Sequence, residues 1–146
     1  MIQCSSSSLE GFLIDYGWSF KKVSRGVWRT GFTTEKRSYP VRILLDNHFL
    51  TLSVQPLLKI DIDLEAFPEA AAYLLELNHE ASMVRLGVDE VGDITMSLNL
   101  INGSFSKDDF HLSLGLIGHY ADTFYAEIAG FFAPASLKDT SSKPSN

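Results

Sequence analysis

Residues 21–42 are the first place where side-chain types and spacing could do chemistry. They hold Lys21, Lys22, Arg25, Arg29, Lys36, Arg37 and Arg42 against Glu35 alone, a local charge of +6. Trp18, Phe20, Trp28, Phe32 and Tyr39 are interleaved with them. Cations beside aromatic faces are how single-stranded nucleic acids are held, by phosphate contacts and base stacking. Lys21, Lys22, Arg25, Arg29, Arg37 and Arg42 are therefore the candidate anion contacts. The plainer reading makes the aromatics core residues of one strand face, with the cations solvated or facing acidic segments across a dimer. That reading is preferred because a nucleic-acid binder is normally basic overall. Here 12 Lys and Arg stand against 18 Asp and Glu, a formal charge of −6. Nucleic acid stays as the disfavoured alternative partner, through residues 18–42.

Other constellations offer less. Asp61-x-Asp63-x-Glu65 clusters carboxylates, but a calcium loop needs further ligands and a glycine turn at fixed offsets. Acids before a helix are expected from the helix dipole alone. His48, His79, His111 and His119 lack metal-ligand spacing; the last two are eight residues apart, beyond the i, i+4 pairing of helical zinc motifs. No nucleophile elbow, phosphate loop or dinucleotide fingerprint occurs. No catalytic residue, cofactor or metal is assigned, and the chain is read as non-enzymatic. Cys4 has no second cysteine to pair with and is read as an inert residue of a mobile N-terminus. Asn78 is the notable lone polar residue, on an otherwise apolar helix face. Its amide is read as satisfying backbone groups at the helix end, with a partner contact as the other option.

These residues need elements to position them. Ser7-Ser8-Leu9-Glu10 has capping-box spacing, and Leu9, Phe12, Leu13 and Tyr16 form one stripe ended by Gly17. The spacing predicts a helix over 8–16. Period-2 alternation then marks three strands, around Trp28-Thr30-Phe32, Val41-Ile43-Leu45 and Leu50-Leu52-Val54. Asp46-Asn47-His48 is a tight hairpin signal. A second helix starts near Pro68, with Ala71, Leu74, Leu75 and Asn78 on one face. Strands follow at 83–88 and 94–101. Ser106-Lys107-Asp108-Asp109 opens a last helix carrying Phe110, Leu114, Ile117, Ala121, Phe124, Ile128 and Phe131 at 4-3-4-3 spacing. Running to Phe132, it would be about 39 Å long at ~1.5 Å per residue.

The expected fold is α+β, a five-stranded antiparallel sheet with helices packed on it, in the order α-β-β-β-α-β-β-α. Residues 1–133 form a single domain, and 134–146 a disordered polar tail. Gly115 and Gly118 each cost about 1 kcal/mol against Ala within a helix. They predict either a close neighbour or a break, while Asp122 and Glu127 should face solvent. No secretory signal or spanning segment is visible, so the expected location is cytoplasmic, with no membrane contact.

This order, with Leu74-Leu75-Glu76-Leu77-Asn78 closing the middle helix and a β-turn-β running into a long amphipathic helix, resembles the YbjN family. The resemblance spans Leu9 to Phe132. It implies the fold of type III secretion chaperones and a small, often homodimeric protein that binds or regulates other proteins, sensory-transduction regulators among them. It brings no catalytic residues and identifies no effector. The expected partners are a second copy and an unidentified protein. The last helix carries more apolar surface than one sheet face requires, so Phe124, Tyr125, Ile128, Phe131 and Phe132 are the expected interface.

Overall fold

Serine hydroxyls decide where the chain first becomes helical. In the computed structural model, which describes residues 3–60, 67–81 and 83–132, helix α1 spans Ser6–Tyr16. Its cap is Ser5, whose Oγ accepts from the Ser8 amide at 3.1 Å, and not Ser7 as the capping-box spacing suggested. Four consecutive serines can each cap, so the boundary moves with whichever lets Leu9 and Leu13 reach the core; both are fully buried. Glu10 does not reach back to the helix start. It accepts from Trp28 Nε1 at 2.9 Å, giving the buried indole its partner. Gly17 ends the helix at φ +96°, its amide donating to Leu13 and Ile14.

The sheet has six strands, one more than the alternation indicated: β1 Phe20–Ser24, β2 Val27–Thr33, β3 Ser38–Leu45, β4 Phe49–Leu58, β5 Arg85–Val88 and β6 Ile94–Ile101. All pairings are antiparallel, in the spatial order β1-β2-β3-β4-β6-β5. The unexpected strand is β1. Adjacent Lys21 and Lys22 break its period-2 pattern, which an edge strand tolerates because only one side is paired. A register shift between Lys22 and Ser24 adds a bulge there. The β1–β2 turn needs glycine: Gly26 sits at φ +73°, and a Cβ would lie 2.6 Å from the Leu45 carbonyl oxygen. Asp46 builds the β3–β4 hairpin as expected, with Oδ1 accepting from the amides of His48 and Phe49.

Helix α2 (Phe67–Glu80) lies against the β5 edge, and α3 (Lys107–Phe132) crosses β4 and β6 on the face shared with α1. Ser106 and Asp109 cap α3 reciprocally, side chain to amide in each direction. The 4-3-4-3 stripe of α3 is buried from Phe110 to Ile128. The buried stripe of α2 is Ala70, Leu74 and Leu77; Leu75, expected beside Leu74, is 67% exposed. Neither outcome expected of the α3 glycines occurs. The helix is unbroken, and a Cβ on Gly115 or Gly118 would meet only Tyr16 Oη at 3.8 Å or Phe32 at 4.0 Å.

The N-terminus is held more firmly than expected. The Cys4 amide donates to Asn102 Oδ1 at 2.8 Å, while Asn102 Nδ2 donates to the Asp46 carbonyl. Partial burial raises the pKa of the Cys4 thiol, which suits an inert cysteine. The tail 134–146 and the Asp61-Asp63-Glu65 cluster lie outside the described residues.

Candidate partner-binding surfaces

Register places Lys21, Arg29 and Arg42 on the sheet face opposite the strand aromatics. Lys21 pairs with Arg29, Arg29 with Arg42, Arg42 with Ser53, Ser53 with Ser97 and Ser97 with Arg85. Directly paired residues share a face. The six therefore form one row across the whole sheet, about 24 Å long at a strand spacing of ~4.8 Å. Lys21, Arg29, Arg42 and Arg85 are exposed. No aspartate or glutamate occurs in any of the six strands. Val27 pairs with Leu44 on the same face. Between Arg29 and Arg42 the sheet surface forms a hollow of about 530 Å³, lined also by Val23, Val27, Pro40 and Gln55.

The aromatics point the other way. Trp28 and Tyr39 are buried, and Trp18, Phe20 and Phe32 pack against the core. Trp18 stacks on Phe32 at 5.4 Å between centroids. A base-stacking platform interleaved with cations is therefore absent from residues 18–42, and the stacking form of the nucleic-acid reading loses its basis. The remaining candidate cations scatter. Lys22 Nζ sits 5.6 Å from the centre of the Trp28 ring, and Arg25 lies in the β1–β2 turn. Arg37 stacks its guanidinium 3.5 Å over the Tyr125 ring.

Arg37 belongs to an internal clasp. Buried Tyr39 donates its hydroxyl to Asp122 on α3, so Asp122 serves the packing of α3 on the sheet and is not a purely solvent-facing residue. Burial first, then this hydrogen bond, raises the Tyr39 pKa far above its usual value. The same bond, helped by Thr34 and the nearby Arg37 charge, lowers that of Asp122.

The five residues expected at an interface are largely used inside the chain. Phe124 and Ile128 are core residues, 5% and 0% exposed, and offer no surface to a partner. Tyr125 lies under Arg37, and Phe131 stacks on Tyr73 of α2 at 4.0 Å. Phe132 is half-buried against the core. Exposed apolar surface occurs elsewhere. Met83, Ile101 and Leu112, at 57%, 62% and 62% exposure, surround a hollow of about 450 Å³ where β6 runs into α3. The sequence patterns missed it because these residues sit at element ends or off the buried stripe.

Asn78 bonds both main-chain groups of one residue on the edge strand. Its Oδ1 accepts from Leu86 N at 2.6 Å, and its Nδ2 donates to Leu86 O at 3.1 Å. The side chain thus imitates a neighbouring strand and closes the free edge of β5. Among the described residues no group of three metal-ligating side chains comes together, and no helix is long and apolar enough to cross a membrane. His48 is in the β3–β4 turn, His79 in the last turn of α2, and His111 bonds the Phe12 carbonyl at 3.0 Å.

Comparison with known proteins bears on this architecture. A family profile described as "Putative bacterial sensory transduction regulator", YbjN, matches residues 5–130. The chain belongs to the YbjN family. Crystalline YbjN from E. coli superimposes with a TM-score of 0.59 at 15% identity, covering 86% of this chain and 91% of that one. A chain of the ExsC–ExsE complex gives 0.60 at 15% identity, with 83% and 93% covered. One from the ExoU–SpcU heterodimer of the Pseudomonas aeruginosa type III secretion system gives 0.58 at 14%, with 87% and 99% covered. At these identities the likeness is one of fold. The YbjN domain here thus shares its α+β architecture with proteins solved in protein–protein complexes. No curated protein matches the chain.

Proposed function

We propose that the chain is a non-enzymatic protein-binding module, chaperone-like or regulatory, that acts as a homodimer in the cytoplasm. The carrying observation is the apolar hollow ringed by Met83, Ile101 and Leu112. Three large apolar side chains, each more than half exposed and gathered around one depression, are costly to leave in water and mark interaction surfaces. The YbjN membership supports the regulatory side of the reading, and the secretion-complex neighbours support a protein as the ligand.

At the C-terminal end of α3, Tyr125, Phe131 and Phe132 retain partly open surface and can extend an interface. The hollow at the start of α3 presents the more exposed apolar side chains. Sedimentation equilibrium at micromolar concentration tests the reading. A mass near twice 16.2 kDa is expected, falling toward one protomer in Leu112→Glu, whose exposed side chain makes the change tolerable to the fold. A monomeric wild-type chain refutes the homodimer.

A further inference from the structure

Arg29 and Arg42 are direct cross-strand partners. Like charges so placed repel and weaken a sheet. Among the described residues neither has an acidic partner: the one ion pair there joins Lys107 to Asp15. Lys21 continues the row on one side and Arg85 ends it on the other, with no acid on any strand to relieve it. Among the described residues no helix packs on this face, since α1 and α3 occupy the opposite one and α2 the β5 edge. The chain as a whole is acidic, so the cations are gathered here against the general trend.

We propose that this open sheet face binds an acidic, aliphatic-rich peptide segment of a protein partner, with Arg29 and Arg42 holding its carboxylates. The hollow between them supplies the second half of the recognition. Val23, Val27 and Pro40 give it aliphatic walls suited to leucine- or valine-like side chains, and exposed Leu44 lies beside Val27 on the same face. Guanidinium groups hold carboxylates with paired, charge-assisted hydrogen bonds. An extended peptide sets residues i and i+2 about 7 Å apart, between one and two strand gaps of ~4.8 Å. Acids two residues apart on such a segment can therefore meet members of the cation row. A nucleic acid fits less well. Base stacking needs aromatic faces, and the aromatics of β1–β3 all lie beneath the opposite surface.

The proposal rests on the reading of the chain as a protein-binding module, and one set of measurements separates the two. A dye-labelled peptide of four Glu-Glu-Leu repeats is titrated with the full chain at low salt and followed by fluorescence anisotropy. Saturable binding is expected, lost with a Gln-Gln-Leu control peptide. Arg29→Gln combined with Arg42→Gln should weaken it at least tenfold, whereas Arg25→Gln, in the β1–β2 turn, should change it less than twofold. Thermal melting confirms that the variants fold. Absence of saturable binding by the wild-type chain, unaltered binding by the double variant, or tighter binding of a 12-nucleotide thymidine strand each overturns the proposal. Sedimentation of the same samples reports on the module separately. A dimer indifferent to the peptide refutes this surface and leaves the protein-binding reading standing.

Discussion

At the scale of single residues, two asparagines do work that composition alone does not reveal. Asn102 ties the N-terminal segment to the β3–β4 hairpin, and Asn78 closes the β5 edge by bonding Leu86 at both its amide and its carbonyl. Asn78→Ala removes an acceptor and a donor at once and leaves two half-buried backbone groups unmatched. Unsatisfied groups of this kind cost about 1–3 kcal/mol. Urea unfolding should show a loss in that range. Unchanged stability in the alanine variant would remove Asn78 from its edge-closing role. A bare strand edge also templates pairing with other chains, so the alanine variant should aggregate at lower concentration under light scattering. The sequence identified Asn78 as polar on an apolar face. It could not supply the partner, because Leu86 lies beyond the turn and its pairing depends on how α2 docks.

At the scale of elements, legibility followed periodicity. The α3 stripe, the Ser106 cap, the β3–β4 hairpin and strands β2 to β4 and β6 were all readable, because a buried face writes a period of 3.6 or 2 into the chain. Strand β1 was not, since an edge strand with one pairing side can carry adjacent lysines. The α2 face was misplaced by one residue: Leu75 is as apolar as Leu74 yet points to solvent, and only docking against β5 distinguishes them. The glycines show the same contrast. Gly26 has a reason in the fold, and Gly26→Ala should destabilise by more than the roughly 1–2 kcal/mol of a left-handed residue, because its Cβ would also meet the Leu45 carbonyl. Gly115 has only Tyr16 Oη within ordinary contact distance. Gly115→Ala should therefore stabilise α3 by about 1 kcal/mol, raising the urea midpoint. A lower midpoint would mean that α3 needs a close approach at that position.

At the scale of the whole molecule, charge segregation was legible but its geometry was not. The sequence placed seven cations and five aromatics in one stretch, whereas pairing register puts Lys21, Arg29 and Arg42 on the face opposite Phe20, Trp28, Phe32 and Tyr39. The same three-dimensional arrangement sets the response to pH. Asp122 and Asp46 have folded-state pKa values below the usual carboxylate value of 3.8, the first through the Tyr39 hydroxyl and the second through the Phe49 and His48 amides. A lowered carboxylate contributes stability that is present above its unfolded pKa and lost as pH falls through the folded one. Tyr39 is displaced upward from its ordinary value of 10. Its neutral hydroxyl is favoured by the fold, so that contribution is present below pH 10 and declines as pH rises beyond it. Unfolding free energy measured against pH should therefore show a plateau between these ranges, with losses on both sides. Tyr39→Phe couples the two limbs. It removes the Tyr39 share of the alkaline loss, leaving those of Cys4 and Tyr73, whose pKa values burial also raises. By depriving Asp122 of its donor it also reduces the acid loss, leaving the Asp46 contribution in place. A Tyr39→Phe profile parallel to the wild type on both limbs would mean that the clasp between β3 and α3 does not carry this pH dependence.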